Sequence, residues 1–317
     1  MKLNAENRIM LTGTPIQNHL SELWSLFQFV NPGLLGGYSD FSNRFVIPIE
    51  RDKDEERQEM LERVVHPFML RRTKNAVVKE LPEKTEIYQT IQMSNEESAI
   101  YEVIRMRAEN MLRELGDESM DVNVLAEITR LRQASCSAEL VEPSWQGPCS
   151  KVTALIELLS DVIEGGNRAL VFSQFTSFLS IVRDAFDKEG IEYLYIDGST
   201  PVNQRTVLVN RFQKGECPVF IISLKAGGLG LNLTGANYVF HLDPWWNPAI
   251  EQQATDRAYR IGQRQAVTVY HLVAQNTIEE KIIRLHERKR ALAENILEGT
   301  EFSHKLTGKE MLEMVAR

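Results

Sequence analysis

The segment Gln252-Gln-Ala-Thr-Asp-Arg-Ala-Tyr-Arg-Ile-Gly-Gln263 carries two arginines three residues apart, Arg257 and Arg260, with a glycine following at 262. On a helix, residues at i and i+3 share a face, so two guanidinium forks can converge on one anion. A guanidinium keeps its charge at physiological pH and grips phosphate oxygens in pairs, which suits the charge that develops when a nucleotide phosphate is transferred. Alone, the segment also reads as a solvated helix with an Asp256–Arg260 pair at i,i+4.

A second set of residues with chemical potential lies in four loops: Ser173-Gln174-Phe175, Asp197-Gly198-Ser199-Thr200, Ser223-Leu-Lys225-Ala-Gly227-Gly228-Leu-Gly230-Leu-Asn232 and Asp243-Pro-Trp-Trp246-Asn-Pro248. Glycines let backbone approach a ligand closely and turn amides toward an anion, as in phosphate-binding nests. One such loop is equally well a tight turn. Four of them on one edge of one sheet would make an anion-binding face. A basic cluster at Arg71, Arg72 and Lys74 reads, by itself, as a helix end complementing its dipole.

Those loops need elements to hold them. From residue 151 onward the chain alternates helix and apolar strand. Val152 to Ile163, Ser177 to Lys188, Asn203 to Gln213 and Pro248 to Ile261 are predicted helices. Arg168 to Phe172, Tyr193 to Ile196, Val219 to Ser223, Tyr238 to Leu242 and Val267 to Val273 are predicted strands. Continuous apolar strands between helices imply a parallel sheet covered on both faces, with ligands at the carboxyl ends of its strands. A last helix begins at Thr277, for which a capping box with Glu280 is predicted.

The first half reads differently. Arg8 to Leu11 is a predicted strand without neighbours, and Leu20, Leu23, Trp24 and Phe27 mark an amphipathic helix that stops near Asn31-Pro32-Gly33. From Phe41 to Leu140 the sequence is helical and charged, with one strand-like stretch from Thr85 to Met93. Residues 141–150, with Pro143, Gly147 and Pro148, read as a linker.

Composition narrows the function classes. The net charge of −8 resides in two acidic stretches, residues 50–63 (−3) and 95–121 (−5), so the remainder is neutral and a local basic groove is allowed. No run of eighteen apolar residues occurs, so no membrane partner is expected. The N-terminus lacks the apolar core of a signal peptide, which predicts a protein that is not secreted: cytoplasmic in a bacterium, nuclear in a eukaryote. Three dispersed cysteines and six histidines lack metal-ligand spacing, and no metal site is expected.

Five segments in order, Leu11-Thr-Gly-Thr-Pro-Ile-Gln-Asn18, Pro67-Phe-Met-Leu-Arg-Arg-Thr-Lys74, Ser223 to Asn232, Asp243 to Pro248 and Gln253 to Gln263, resemble the later motifs of the Swi/Snf family of helicase-like ATPases. The resemblance covers essentially the whole chain. It implies an α/β fold: a RecA-like parallel-sheet lobe of the helicase C-terminal type, preceded by a mostly helical insertion region and a fragment of the first RecA-like lobe. The implied division is 1–18 for that fragment, 19–140 for the insertions, 141–150 for the linker, 151–276 for the second lobe and 277–317 for a brace helix and tail. The implied activity is ATP-dependent movement along double-stranded DNA. Arg257 and Arg260 then resemble the arginines that reach ATP phosphates across the lobe interface, placed with the help of Gln253, and Gly230 and Asn232 fall where the lobe meets the nucleotide. Ser173, Gln174, Gly198, Ser199, Ser223, Lys225, Gly227, Gly228 and Trp246 are similar to residues that follow the DNA backbone, which implies sequence-independent, salt-sensitive binding. Lys225 stands where many members carry arginine, and Tyr259 where many carry histidine.

One part of the machinery is missing from the sequence. It contains no G-x-x-x-x-G-K-[ST] loop, and its two Asp-Glu pairs, Asp54-Glu55 and Asp117-Glu118, lie in charged helical stretches rather than at the end of an apolar strand. These are the parts that cradle phosphates and hold magnesium. The chain is therefore expected to lack ATPase activity by itself and to bind neither ATP nor Mg2+ tightly without the first RecA-like lobe as partner. A non-catalytic DNA- or protein-interaction module derived from the same fold is the alternative, and a nucleotide-sugar or other α/β transferase a more distant one.

Overall fold

The computed structural model describes residues 5–12, 20–52, 54–70, 81–115, 122–227, 231–296 and 315. Two compact units divide the chain, residues 1–73 with 285–305, and residues 74–284 with 306–317.

In the first unit, α1 (Leu20–Val30) buries Leu20, Leu23 and Phe27, as the spacing predicts. Three short helical turns, Tyr38–Phe41, Ser42–Val46 and Ile47–Glu50, lead to α2 (Glu55–Val65). Phe41, Phe45, Ile49, Leu61 and Val65 close a small core with α1. Glu50 accepts the otherwise orphaned amide of Leu20 at 2.7 Å, and Asp54 caps α2 through the amide of Arg57. Arg8–Leu11 forms no strand among the described residues, and Ile9 and Leu11 are 82% and 93% exposed. A strand needs a ladder partner, and the described residues of this unit supply none there.

The second unit is a six-stranded, all-parallel sheet. Its elements are β1 (Lys84–Ile91), α3 (Asn95–Leu115), α4 (Val122–Cys136), α5 (Ser150–Glu164), β2 (Ala169–Ser173), α6 (Thr176–Glu189), β3 (Tyr193–Ile196), α7 (Val202–Gln213), β4 (Val219–Ser223), α8 (Leu224–Gly227), β5 (Tyr238–His241), α9 (Pro248–Thr255), β6 (Val267–Ala274) and the start of α10 (Ile278–Ile296). The order is β1-β6-β5-β2-β4-β3. Alternate strand residues feed opposite faces. Leu170, Phe172, Phe220, Ile222 and Val239 pack with Phe212, Ala254 and Tyr259 on one side. Val171, Val219, Ile221 and Phe240 pack against α5 and α6 through Leu155, Leu159, Phe178 and Phe186 on the other. The apolar strands are thus buried on both faces, as expected.

The strand-like stretch from Thr85 to Met93 is β1, which joins the sheet as an edge strand beside β6, and the compact unit that holds the sheet begins at Lys74. Residues 141–149 are irregular and lie within that same unit. The capping helix α3 is tied to the sheet lobe by Glu97, whose carboxylate accepts the amides of both Ser94 and Ser150 and the Ser150 hydroxyl, so one side chain caps α3 and α5 together. At α10, Thr277 accepts the amide of Glu279, and Glu279, not Glu280, reaches back, to the amide of Ala274 at 2.8 Å. Among the described residues no helix is long and apolar enough to cross a membrane.

Candidate phosphate and nucleic-acid edge

Because every strand is parallel, the loops after β5, β2, β4 and β3 emerge side by side on one edge. The chain leaves β2, builds β3 and β4 on one side of it, then crosses to β5 on the other. That reversal places a crevice at the carboxyl ends of β2 and β5.

The crevice is built on Asp243. Its Oδ1 accepts the Ser173 hydroxyl and the Gln174 amide, joining the two loops. Asp243 is 4% exposed, and burial pushes its carboxyl up, with Arg132 opposing the shift from 3.9 Å. Ser173 is 1% exposed and Ser223 2%. Both side chains are turned inward, and the Ser173 hydroxyl fastens the two loops together. Gln174 is half-buried, with its carbonyl taken by Arg132 and its Nε2 buried without a hydrogen-bond partner among the described residues.

The outer loops are open. Gly198 and Ser199 are exposed on a turn organised by Asp197, which accepts the Ser199 and Thr200 amides, their hydroxyls and the Tyr195 hydroxyl. These donors, led by Ser199, hold its carboxyl down at about 2. Arg205 ties the same turn through the carbonyls of Asp197, Gly198 and Thr200. Lys225 is exposed on α8, which ends at Gly227. Trp246 is half-buried, and Gly228 and Gly230 lie outside the described residues, as do Arg71, Arg72 and Lys74.

The arginine pair sits differently from the expected helix. α9 stops at Thr255, whose hydroxyl is held by the buried His241 at 2.9 Å, and residues 256–260 form turns. The turn buries Ala258 and Tyr259 in the core. Gln263 then locks it: the two N–H groups of Nε2 are shared among the carbonyls of Thr234, Ala236 and Ala258, while Oε1 accepts two amides. Leu233 donates its amide to the Arg257 carbonyl at 2.9 Å, which ties the arginine turn to the 232–237 loop. Arg257 is 8% exposed with a buried Nε that has no hydrogen-bond partner among the described residues. Burial and the neighbouring Arg260 both weaken its hold on its proton. Two adjacent cations, one desolvated, favour an anion between them. Arg260 and Gln253 are exposed nearby, as is Asn232, whose carbonyl accepts from Gln213. Among the described residues, no group of three His, Cys, Asp or Glu side chains could hold a metal ion.

Three buried charged residues are not legible in the sequence. Arg132 sits in the stretch expected to be insertion, yet reaches the crevice; it is 4% exposed. Lys151 and Glu279 form a buried pair at 2.7 Å, with Lys151 also donating to the Leu242 carbonyl just before Asp243. A lone basic residue in a helical pattern gives no local sign of such a partner.

This arrangement is the RecA-like C-terminal lobe of a helicase-type protein. The SNF2-related domain matches residues 1–140 and the helicase conserved C-terminal domain residues 150–262. The chain belongs to the Swi/Snf family of helicase-like proteins. YwqA of Bacillus subtilis is 38% identical over 99% of this chain and 35% of its own length. The SWI/SNF-related matrix-associated actin-dependent regulator of chromatin subfamily A member 1 of Mus musculus is 35% identical over 99% of this chain and 32% of its own. Among solved structures, the Sulfolobus solfataricus SWI2/SNF2 ATPase core in complex with dsDNA aligns with a TM-score of 0.60 at 34% identity, covering 96% of this chain and 65% of that one. A Sulfolobus solfataricus SWI2/SNF2 ATPase C-terminal domain aligns at 0.58 and 26% identity, covering 74% and 99%. The chain spans about a third of the length of the curated relatives it matches.

Proposed function

We propose that this chain is the C-terminal half of a Swi/Snf-type, ATP-dependent translocase or remodeller of double-stranded DNA, supplying two phosphate-binding arginines and a surface for the DNA backbone. The observation that carries this reading is Arg257, a desolvated guanidinium beside Arg260 with a buried nitrogen lacking a partner among the described residues. Such a pair fits the phosphate tail of ATP. Bound ATP supplies the phosphoryl group whose transfer drives movement. This chain's part is to bind and neutralise: Arg257 and Arg260 meet the phosphate charge, and Gln253 and Asn232 border the same turn and loop. The sequence holds neither a Walker-type loop nor an Asp-Glu box at a strand end, so hydrolysis and Mg2+ binding require the first RecA-like lobe, and the chain alone turns over no ATP.

Gly198, Ser199, Lys225, Trp246 and Gln174 line the edge assigned to DNA, with Ser173 and Ser223 behind it. Contacts of this kind go to phosphates, so affinity for duplex DNA falls by orders of magnitude between about 50 and 200 mM salt, with little sequence preference. Support comes from the solved relative bound to dsDNA and from relatives named as helicases.

The test is reconstitution. The chain is mixed with a first RecA-like lobe from a relative, and DNA-stimulated ATP hydrolysis is measured with and without Arg260→Ala. Hydrolysis by the wild-type mixture that drops at least about 10³-fold in the variant supports the reading. An inactive mixture that still binds DNA shifts the assignment to a non-catalytic module. Magnesium-dependent turnover by the pure chain alone refutes the division of labour.

A further inference from the structure

Arg132 lies on α4, outside the helicase C-terminal match at residues 150–262, yet its guanidinium is buried beneath the DNA-facing edge. Nη1 donates to the Gln174 side-chain carbonyl at 3.1 Å and Nη2 to the Pro244 carbonyl at 2.7 Å. The same planar group lies 5.5, 5.3 and 5.0 Å from the ring centres of Phe175, Trp245 and Trp246. Asp243 Oδ2 supplies counter-charge at 3.9 Å. One side chain therefore grips the loop after β2 and the loop after β5 at once. Arg132 adds to the Asp243 bonds that join the same two loops a direct contact with both the Gln174 side chain and the Trp246 ring.

We propose that Arg132 is a positioning residue for duplex binding: it does not touch DNA but sets Trp246 and Gln174 in the arrangement that meets the phosphate backbone. This rests on the DNA-binding reading of the edge given above. The chemistry requires arginine. A guanidinium offers several in-plane donors together with two faces for aromatic rings, whereas an ammonium is a compact point charge that cannot span both loops and stack at the same time. α4 thereby becomes part of the DNA-binding device, and the helical stretch before residue 140 is the support of the edge rather than an appendage.

The variant Arg132→Lys keeps the positive charge opposite Asp243 while losing the fork and the stacking. It is compared with Trp246→Ala and with the double variant in the same 317-residue chain, after thermal melts identify conditions in which all are folded. Affinity for a mixed-sequence duplex is measured at low salt, together with acrylamide quenching of tryptophan fluorescence. Arg132→Lys should weaken binding about fivefold, the effect of losing a desolvated cation–π contact and a hydrogen bond to a charged donor. Because the residue acts through Trp246, the double variant should bind within about twofold of Trp246→Ala alone, and quenching should rise in Arg132→Lys. Wild-type affinity in Arg132→Lys, or losses that multiply in the double variant, overturns the proposal. Arg132→Gln, which retains a donor, replaces the lysine variant should that fail to fold. If the wild-type chain binds no duplex at all, the DNA-binding reading fails on its own. The clamp is then judged by quenching: a rise in Arg132→Lys upholds it, and an unchanged value overturns it.

Discussion

Lys151→Met is the most informative stability perturbation. Lys151 and Glu279 are 2% and 1% exposed. The ammonium uses all three donors, two on the Glu279 carboxylate at 2.7 Å and one on the Leu242 carbonyl at 2.9 Å. Methionine fills similar volume but leaves Glu279 with the Ala274 amide and the weakly donating Cys136 thiol at 3.9 Å. Stranding one member of a buried pair costs about 3–5 kcal/mol. Burial already raises Glu279 to about 7 in the presence of Lys151, which opposes the shift. Without the lysine the carboxyl rises further and folds protonated at neutral pH. A folded value above the unfolded one, about 4.3, gives stability that is full at low pH and lost as pH rises through the folded value. Because wild-type Glu279 itself titrates at about 7 and loses stability in parallel as pH rises toward that value, the deficit of Lys151→Met should grow as pH rises above about 7, by up to about 1.4 kcal/mol per unit. Lys151→Met with Glu279→Leu removes the stranded charge and should recover more than half of the loss, the remainder reflecting the amide of Ala274 left without its acceptor. Urea unfolding with unchanged m-values is the assay. A single-variant loss below about 1 kcal/mol at pH 8, or a double variant as unstable as the single, refutes this account.

Three further outcomes follow from the same structure. His241, buried and pushed down to about 4 by desolvation and then by His271, is neutral when folded, so its contribution is present above about 6.5 and lost as pH falls through 4; urea midpoints should fall over that window by the equivalent of about 3 kcal/mol, and His241→Gln should flatten the slope. Asp197→Asn should cost about 1 kcal/mol at pH 7, after allowance for partial exposure, and the difference from wild type should vanish as pH falls toward 2, because a depressed carboxyl stabilises only above its unfolded value. A pH-independent difference would dismiss the hydrogen-bonded turn as its cause. Leu155→Ala, in a fully buried site between α5 and the sheet, should lower stability by about 2–5 kcal/mol without altering duplex affinity under native conditions.

The motifs were legible in sequence where their information is local. Strands such as Val219–Ser223 read as apolar runs because both faces are covered, and the loops that follow them are marked by glycine, serine and aspartate at fixed offsets. Parallel pairing then places those loops on one edge without further instruction. The place of Lys84–Ile91 beside β6 was not legible, since its half-exposed pattern is that of a strand with one open side and its partner lies far along the chain. The end of α9 is not legible for a related reason. Periodicity continues to Ile261, whereas α9 ends at Thr255, where the hydroxyl meets the distant His241, and the turn that follows buries Ala258 and Tyr259.

Sequence alone determined the family, the parallel lobe, the arginine pair and the absence of a phosphate loop, because each is written in residue types at short spacing. Tertiary structure alone decided which of those residues are reachable. It turned Ser173 and Ser223 inward, set Arg257 on a turn with a desolvated guanidinium, and brought Arg132 beneath Trp246 and Lys151 against Glu279. Burial, the proximity of charges and the sharing of one side chain between two loops depend on contacts between distant segments, and no local pattern in the chain encodes them.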